Sequence, residues 1–180
     1  MNKNIRVCFL ALTLLFVSSI IIYSCERETV SPFANRSAKL QILLTDNPGN
    51  YDQVNIDLVE VWVKIKDSTH FYSLATNQGV YDLLQLQNGI DTTIVNDSLP
   101  PGEVQEVRLV LGNNNTIMVD SVIHDLKVPS GQQSGLKIKL NQVLVQDSLA
   151  SITLDFDAGK SVVAKGNGTY SLKPVIKVLP

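Results

Sequence analysis

The stretch QVNIDLVEVWVKIKD, Gln53 to Asp67, decides the fold because polar and apolar residues alternate along it. A period of two residues is typical of a β-strand that buries one face. The phase changes once, since Val54, Ile56 and Leu58 share one parity and Val59 starts an apolar set on the other. We predict a β-bulge at Leu58–Val59 that keeps both sets in one core, and we expect deletion of Val59 to disrupt the strand. A strand that crosses between two sheets is the alternative.

Shorter strands of the same kind follow along the chain. Turn-forming sequences such as DNPGN, LPPGE, GNNN and PSGQQSG separate them, and no segment keeps a helical period of 3.6 residues. Tyr170–Val178 alternates as one last strand, placed at a sheet edge or bulged at Pro174. In GLKIKLNQVLV a second phase change predicts that Val143 and Val145 also face the core. These patterns predict an all-β fold, a single antiparallel β-sandwich of immunoglobulin-like or transthyretin-like type, over residues 38–180.

The N-terminus has the pattern of a targeting signal. Residues 1–24 start with basic residues and continue as an apolar run, Val7–Ile22, which is followed by Ser24 and Cys25. This pattern resembles the lipobox of bacterial lipoproteins, in which the signal is cut before a cysteine that is then acylated. The resemblance implies a lipoprotein signal peptide, a lipid-anchored tether over residues 25–37, and palmitate-type chains on Cys25. The protein would then belong to the cell envelope, on the periplasmic or surface-facing leaflet of the outer membrane. An uncleaved membrane anchor is the alternative.

Net charge and cysteine content limit the kinds of partner and site that the protein can have. Loss of residues 1–24 removes Lys3 and Arg6, so 15 basic residues become 13 against 17 acidic ones, a formal charge of −4. This mild acidity argues against nucleic acid or anionic lipid as the main partner. Cys8 also leaves with the signal, and the mature domain then has neither a disulfide nor a thiolate metal site. We expect no cofactor.

Two blocks of sequence, LQILLTDNPGNYDQVNIDLVEVWVKI (the first block) and LDFDAGKSVVAKGNGTYSLKPVIKV (the second block), resemble a known family. They are similar to the signature blocks of an envelope domain of unknown function, number forty-three eighty-two, here on a Bacteroidetes-type lipoprotein. The most specific parts are Leu44-Thr45-Asp46 with Pro48, and Asp155-Phe156 with Ser161. Asn47 stands where that family more often has alanine. The resemblance implies a β-sandwich in a secreted or lipid-anchored protein, and no enzyme.

One turn of the first block is a candidate calcium site. Asp46, Asn47, Asn50 and Asp52 lie close together in sequence and offer the oxygen ligands that calcium prefers. The stretch lacks the EF-hand spacing, however, and Asp and Asn at turns usually bond their own backbone.

Asp155 and Asp157 alternate with the apolar residues of SITLDFD. A pair of carboxylates is the apparatus of a glycosidase, so a hydrolase is one hypothesis. The commoner explanation is that alternate residues of a half-buried strand face water, and we expect both side chains to be solvated. They can meet the Asp46 turn only if the two blocks are neighbours.

Trp62 is a candidate ligand-binding residue. If Val61 and Val63 face the core, Trp62 faces outward, where an indole can stack on a sugar or anchor a partner. We expect neighbouring side chains to cover it, because exposed large aromatic residues are uncommon.

Five Asp-Ser/Thr triplets resemble the acceptor site of O-glycosylation in Bacteroidetes. Chance predicts about one such triplet from this composition, although Asp-Ser is also ordinary turn chemistry. The acceptor residues are Ser68, Thr92, Ser98, Ser121 and Ser148.

The leading hypothesis is a non-catalytic envelope lipoprotein. Its sandwich would bind a glycan or another envelope protein, or serve a structural role. The alternatives are a carbohydrate-binding module that uses Trp62 and a hydrolase that uses Asp155 and Asp157.

Overall fold

The computed structural model describes residues 36–128 and 134–179 of the chain. The expected signal peptide, Cys25 and all but the last two residues of the expected tether lie outside the described residues. The chain divides into the units Met1–Ala34 and Asn35–Pro180, and only the second is described below. In the described part of this unit, no helix is long and apolar enough to cross a membrane.

Over the described residues, the smaller sheet has four strands and contains one parallel pair. Its order is β13-β10-β1-β5, in which β1 pairs in parallel with β10 and antiparallel with β5, and β10 pairs antiparallel with β13. The strands are β1 (Ala38–Thr45), β5 (Thr92–Leu99), β10 (Leu149–Phe156) and β13 (Ile176–Leu179).

The larger sheet has nine strands, counted over the described residues. Its order is β11-β12-β8-β7-β2-β6-β9, and β3 and β4 also pair with β2. The strands are β2 (Gln53–Ile65), β3 (Tyr72–Ser73), β4 (Gly79–Asp82), β6 (Gly102–Leu111), β7 (Thr116–Val119), β8 (Val122–Lys127), β9 (Leu136–Leu144), β11 (Val162–Lys165) and β12 (Thr169–Leu172). A 3₁₀ turn, Leu83–Leu86, and one short helix, α1 (Ala158–Ser161), complete the described elements.

The two sheets pack face to face, so the all-β sandwich is confirmed. The expectation of a purely antiparallel sandwich is wrong, because β1 pairs with β10 and β8 pairs with β12 in parallel. Parallel neighbours cannot be joined by a tight hairpin, and here each pair joins distant parts of the chain. The core contains Leu40, Ile42 and Leu44 from β1 and the inward residues of β2, all buried.

The bulge in β2 is confirmed. Leu58 pairs with Leu111 and Glu60 with Val110, so Val59 is an extra residue opposite the continuous β6. Val59 is only half-buried, whereas Leu58 and Val61 on either side of it are buried. The second apolar set therefore enters the core at Val61, two residues later than its sequence suggests.

Two strand predictions near the C-terminal half are wrong. Tyr170–Val178 is not one strand: the chain leaves the larger sheet after Leu172 and joins the smaller sheet at Ile176. Pro174 lies in this crossover, where its missing N–H removes no ladder hydrogen bond. In β9 a register shift is present, but Leu144 is buried, and Val143 and Val145 are exposed.

This pairing revises the expectation for Val59. Because Val59 is the extra residue, deleting it should leave a strand that alternates without interruption and pairs regularly with β6. We expect a loss in the free energy of unfolding of about 1–2 kcal/mol, measured by urea denaturation.

Deletion of Asp57 is the control. A strand that lacks Asp57 also alternates without a bulge, but it turns Leu58 out of the core, at about 1.5–3 kcal/mol for a buried leucine, and it removes the hydrogen bonds that Asn114 donates to the Asp57 carboxylate. Deletion of Val59 that costs as much as deletion of Asp57 would contradict the bulge.

Candidate functional site

The parallel pairing of β1 with β10 brings the two sequence blocks to one end of the sandwich. Thr45 pairs with Asp155, so the residues that follow both strands meet there. Three buried carboxylates, Asp46, Asp155 and Asp157, lie at this end, which we call the acidic end. The two blocks are therefore neighbours, and the Asp46 turn meets Asp155 and Asp157.

Asp46 is held by two hydrogen bonds in a buried position. Only 5% of the residue is exposed. Its Oδ1 accepts from the backbone N–H of Ala158 at 2.7 Å, and its Oδ2 accepts from Gln87 Nε2 at 3.2 Å. Burial, with smaller contributions from the charges of Asp155 and Asp157, raises the pKa of Asp46 from 3.8 to about 6.

Asp155 has one carboxylate oxygen without a partner. Only 4% of the residue is exposed. Oδ2 accepts from Asn47 Nδ2 at 2.6 Å, but Oδ1 is buried and receives no hydrogen bond from residues 36–128 or 134–179. Burial, and after it the charge of Asp157, raises the pKa of Asp155 above its ordinary value. An unpaired buried acceptor is costly, so this oxygen is the least satisfied polar atom at the acidic end.

Asp157 is fully occupied by a structural role. Its Oδ1 accepts from the backbone N–H of Lys160 at 3.0 Å and caps α1, while Oδ2 pairs with Lys160 Nζ at 2.5 Å. Burial alone would raise the pKa of Asp157, but these hydrogen bonds and the Lys160 charge together lower it. The expectation that Asp155 and Asp157 are solvated is therefore wrong.

A loop covers the outer face of the smaller sheet at the acidic end and explains this burial. Thr45 Oγ1 lies 2.9 Å from the carbonyl oxygen of Leu86 and 2.8 Å from that of Ile90. The N–H of Asp46 also donates to Leu86 O. The strand alternation of β10 does not reveal this cover, because the covering residues are far away in sequence.

A cleft of about 250 Å³ opens between this loop and the strands. Asp46, Asn47 and Asp155 form its polar wall, Asn88 and Gly89 lie on the loop side, and the cleft is also lined by Thr45, Pro48 and Leu179. Sequence reasoning missed Asn88, Gly89 and Leu179, because no local pattern places them beside either block.

The loop after β1 contacts α1 through two glycines. A Cβ atom built on Gly49 would lie 3.3 Å from the backbone nitrogen of Gly159, closer than most Cβ contacts allow. Buried Ser161 holds the other side of α1, since its Oγ accepts from Val175 N at 2.8 Å and its carbonyl from Lys173 N at 2.7 Å. Both contacts fix the backbone that carries Asp46 and Asp157.

The four residues of the predicted calcium turn do not share one site. Asp46 accepts from Ala158 of α1, and Asn47 donates to Asp155 of β10. Asn50 is exposed, and Asp52 Oδ2 accepts from the backbone N–H of Ser121 at 2.9 Å. Over residues 36–128 and 134–179, no group of three or more His, Cys, Asp or Glu side chains is arranged to hold a metal ion.

Trp62 lies on the outer face of the larger sheet and is half-buried. It stands between Ser73 of β3 and Arg108 of β6. Its Nε1 donates to Glu60 Oε2 at 2.6 Å, and the Arg108 guanidinium lies 3.8 Å from the centroid of the Phe71 ring. The indole is thus hydrogen-bonded to a neighbouring side chain and half-buried, and is not an isolated aromatic platform.

The five triplets that resemble O-glycosylation sites occupy turns and strands around the molecule. In three of them the aspartate has a left-handed backbone conformation, at Asp67, Asp120 and Asp147, so turn chemistry accounts for these. Ser98, Ser121 and Ser148 are exposed, and Ser68 and Thr92 are half-buried. Glycosylation at these residues stays a prediction.

One comparison with known proteins gives a match. The family model described as Domain of unknown function (DUF4382) matches residues 37–174, which contain the first block and most of the second. No curated protein and no solved structure matches the chain.

The acidic end predicts how stability depends on pH. With a pKa near 6, Asp46 keeps a proton in the folded state that the unfolded chain, at 3.8, has already released. At Asp46 the folded state therefore binds more protons between about pH 4 and pH 6, and the contribution of this group to the free energy of unfolding should fall as the pH rises through this range. Two pKa units correspond to about 3 kcal/mol, which denaturant titrations at successive pH values can measure.

Asp46→Asn should remove most of this pH dependence, because it replaces the titrating group with a neutral one of the same shape. Asp52→Asn is the matched control in the same loop and should keep the slope. An unchanged slope in Asp46→Asn would show that other groups cause it.

Proposed function

Because the chain belongs to the family of the Domain of unknown function (DUF4382), whose description names no activity, we propose a function from its own geometry. We propose that the protein is a non-catalytic, lipid-anchored protein of the cell envelope. Its β-sandwich would bind a positively charged group in the cleft at the acidic end.

The observation that carries the binding proposal is the unpartnered Oδ1 of Asp155. A buried carboxylate oxygen without a hydrogen bond costs free energy that a cation or an N–H donor can recover. Asp46, with its raised pKa, adds a second carboxylate that a positive charge would stabilise in its ionised form. Both residues line the same cleft.

The same contacts support a binding role over a hydrolytic one. Two-carboxylate hydrolysis needs one carboxyl group that donates a proton and a second that is free to act as base or nucleophile. Asp157 already caps α1 and pairs with Lys160, so it has no oxygen left for such chemistry. The hydrolase hypothesis therefore lacks its second catalytic group.

The envelope part of the proposal rests on the N-terminal sequence. Val7–Ile22 is short for a membrane span, and Cys25 follows Ser24 where a lipoprotein signal would be cut. Two or more acyl chains, each CH₂ worth about 0.8 kcal/mol, hold a protein on a bilayer without a spanning helix.

Asp155→Asn should weaken cation binding at the cleft by at least about tenfold, because it removes the unpaired charge. Calcium chloride and L-argininamide are titrated separately into the protein. Binding is measured by NMR from the backbone amide chemical shifts of residues 45–47 and 155–158. Tetramethylammonium chloride, which has the charge but no N–H donor, controls for ionic strength.

Asp52→Asn is the control variant and should bind as the wild type does, since Asp52 bonds Ser121 and lies outside the cleft lining. A response to calcium alone would assign the cleft to metal ions, and a response to argininamide alone would assign it to organic cations. Absence of any shift with both probes would refute the binding proposal.

Cys25→Ser should release the protein from membranes or leave its signal uncut, because serine cannot carry the thioether-linked lipid. Membrane fractionation and the mass of the N-terminal peptide measure these outcomes. Cys8→Ser, within the apolar run, is the control and should be processed normally. A wild-type protein that keeps residues 1–24 and stays in the membrane would instead favour the uncleaved anchor.

A further inference from the structure

Three aliphatic side chains are exposed within seven residues at the connection from β9 to β10. Val143, Val145 and Leu149 are exposed to 59%, 58% and 60%. A tight turn joins them, in which the N–H of Ser148 donates to Val145 O at 3.2 Å and Asp147 has a φ of 57°. We call these three residues the N-terminal rim.

The rim lies where the chain enters the sandwich. The N–H of Asp147 donates to Ser37 O at 2.9 Å, and the N–H of Lys39 donates to Ser148 O at 2.8 Å. Leu149 is also the register partner of Lys39 in the parallel pair of β1 and β10. An anchor attached before β1 would therefore connect to the domain next to the rim.

We propose that the N-terminal rim rests on the bilayer to which the chain is anchored, with Val143, Val145 and Leu149 in the interfacial region. This inference depends on the lipid anchor of the proposed function. Glu26–Ser37 supplies twelve residues, which span at most about 40 Å when fully extended. That length lets the rim reach the membrane surface but does not force it there, so the contact must come from the rim itself.

The chemistry of the rim favours the apolar part of the interface over charged headgroups. Lys39 and Asp147, the charged residues of the turn and its partner strand, have opposite signs and are both exposed. Their charges offset each other, and the whole mature chain is mildly acidic, so electrostatic attraction to anionic lipid contributes little. Aliphatic side chains instead gain by leaving water for the acyl boundary.

Contact at the rim would set the orientation of the whole domain. β1 runs from the rim to the acidic end over eight residues, about 26 Å at 3.3 Å per residue. The cleft beside Asp155 would then point away from the membrane, where a ligand can reach it.

Tryptophan fluorescence tests the contact, because the chain has a single tryptophan. In a Trp62→Phe background, Val143→Trp or Leu149→Trp places the probe at the rim. Ile90→Trp and Ile123→Trp are matched controls: both positions are exposed aliphatic residues, Ile90 at the acidic end and Ile123 beside the β7–β8 turn. The acylated protein is purified from membranes and reconstituted in phosphatidylcholine vesicles with or without brominated acyl chains.

Rim probes should lose about half of their emission in brominated vesicles, as expected for a side chain seated about 5–10 Å into the headgroup and acyl boundary, and control probes should not change. The quenching should persist at 1 M salt, where charge attraction is screened beyond about 3 Å. Equal quenching at the rim and control positions would overturn the proposal. Quenching at position 123 without quenching at the rim would overturn it as well.

Failure of the anchor is seen separately, as loss of the protein from the vesicles. Residues 25–180 coupled through Cys25 to a maleimide lipid then provide the same measurement without biological acylation. Quenching of the rim probes in that sample supports the rim even if Cys25 is not acylated in the cell, and its absence refutes the rim.

Discussion

The parallel pairing of β1 with β10 joins segments that are more than a hundred residues apart, and most of the molecule depends on it. These are the two inner strands of the smaller sheet, and their inward side chains, such as Ile42 and Leu154, are fully buried. No local turn can set the register of such a pair, so the match of the two buried faces must do so. The observed register places Asn47 beside Asp155 and Asp46 beside Ala158. A shift by one residue would break these contacts of the acidic end.

The acidic end shows how the fold accommodates three buried carboxylates with few counter-charges. Asp157 is compensated by Lys160, and Asp46 by a backbone N–H and Gln87. One carboxylate oxygen of Asp155 accepts a hydrogen bond from Asn47, and the other has no partner among the described residues. Desolvation and the repulsion among the carboxylates therefore remain partly unrelieved, which appears as raised pKa values at Asp46 and Asp155.

The sequence predicts what depends on local alternation and misses what depends on distant cover. The bulge at Val59 can be predicted from the sequence, because the apolar residues change phase there and only an extra residue keeps both sets on one face of the strand. The change of sheet at Pro174 is not readable, because Tyr170 and Ile176 keep the same phase across it. Alternation also predicts that Asp155 faces water, because it cannot show that the loop after Leu86 folds over that face of the strand. Val143 and Val145 show the converse case, in which apolar residues at an edge strand remain exposed.

Exceptions to the local rules of folding are most often found at functional or strained sites. An unpaired buried carboxylate oxygen costs free energy and an exposed aliphatic side chain contributes little to packing, so the sandwich itself requires neither. Two such exceptions lie at opposite ends of β1: an unsatisfied carboxylate at Asp155 and a group of exposed aliphatic side chains around Leu149. The first is chemically suited to a positive charge and the second to lipid. Because β1 connects them, a domain held at one end by the proposed bilayer contact would present its other end to the surrounding space.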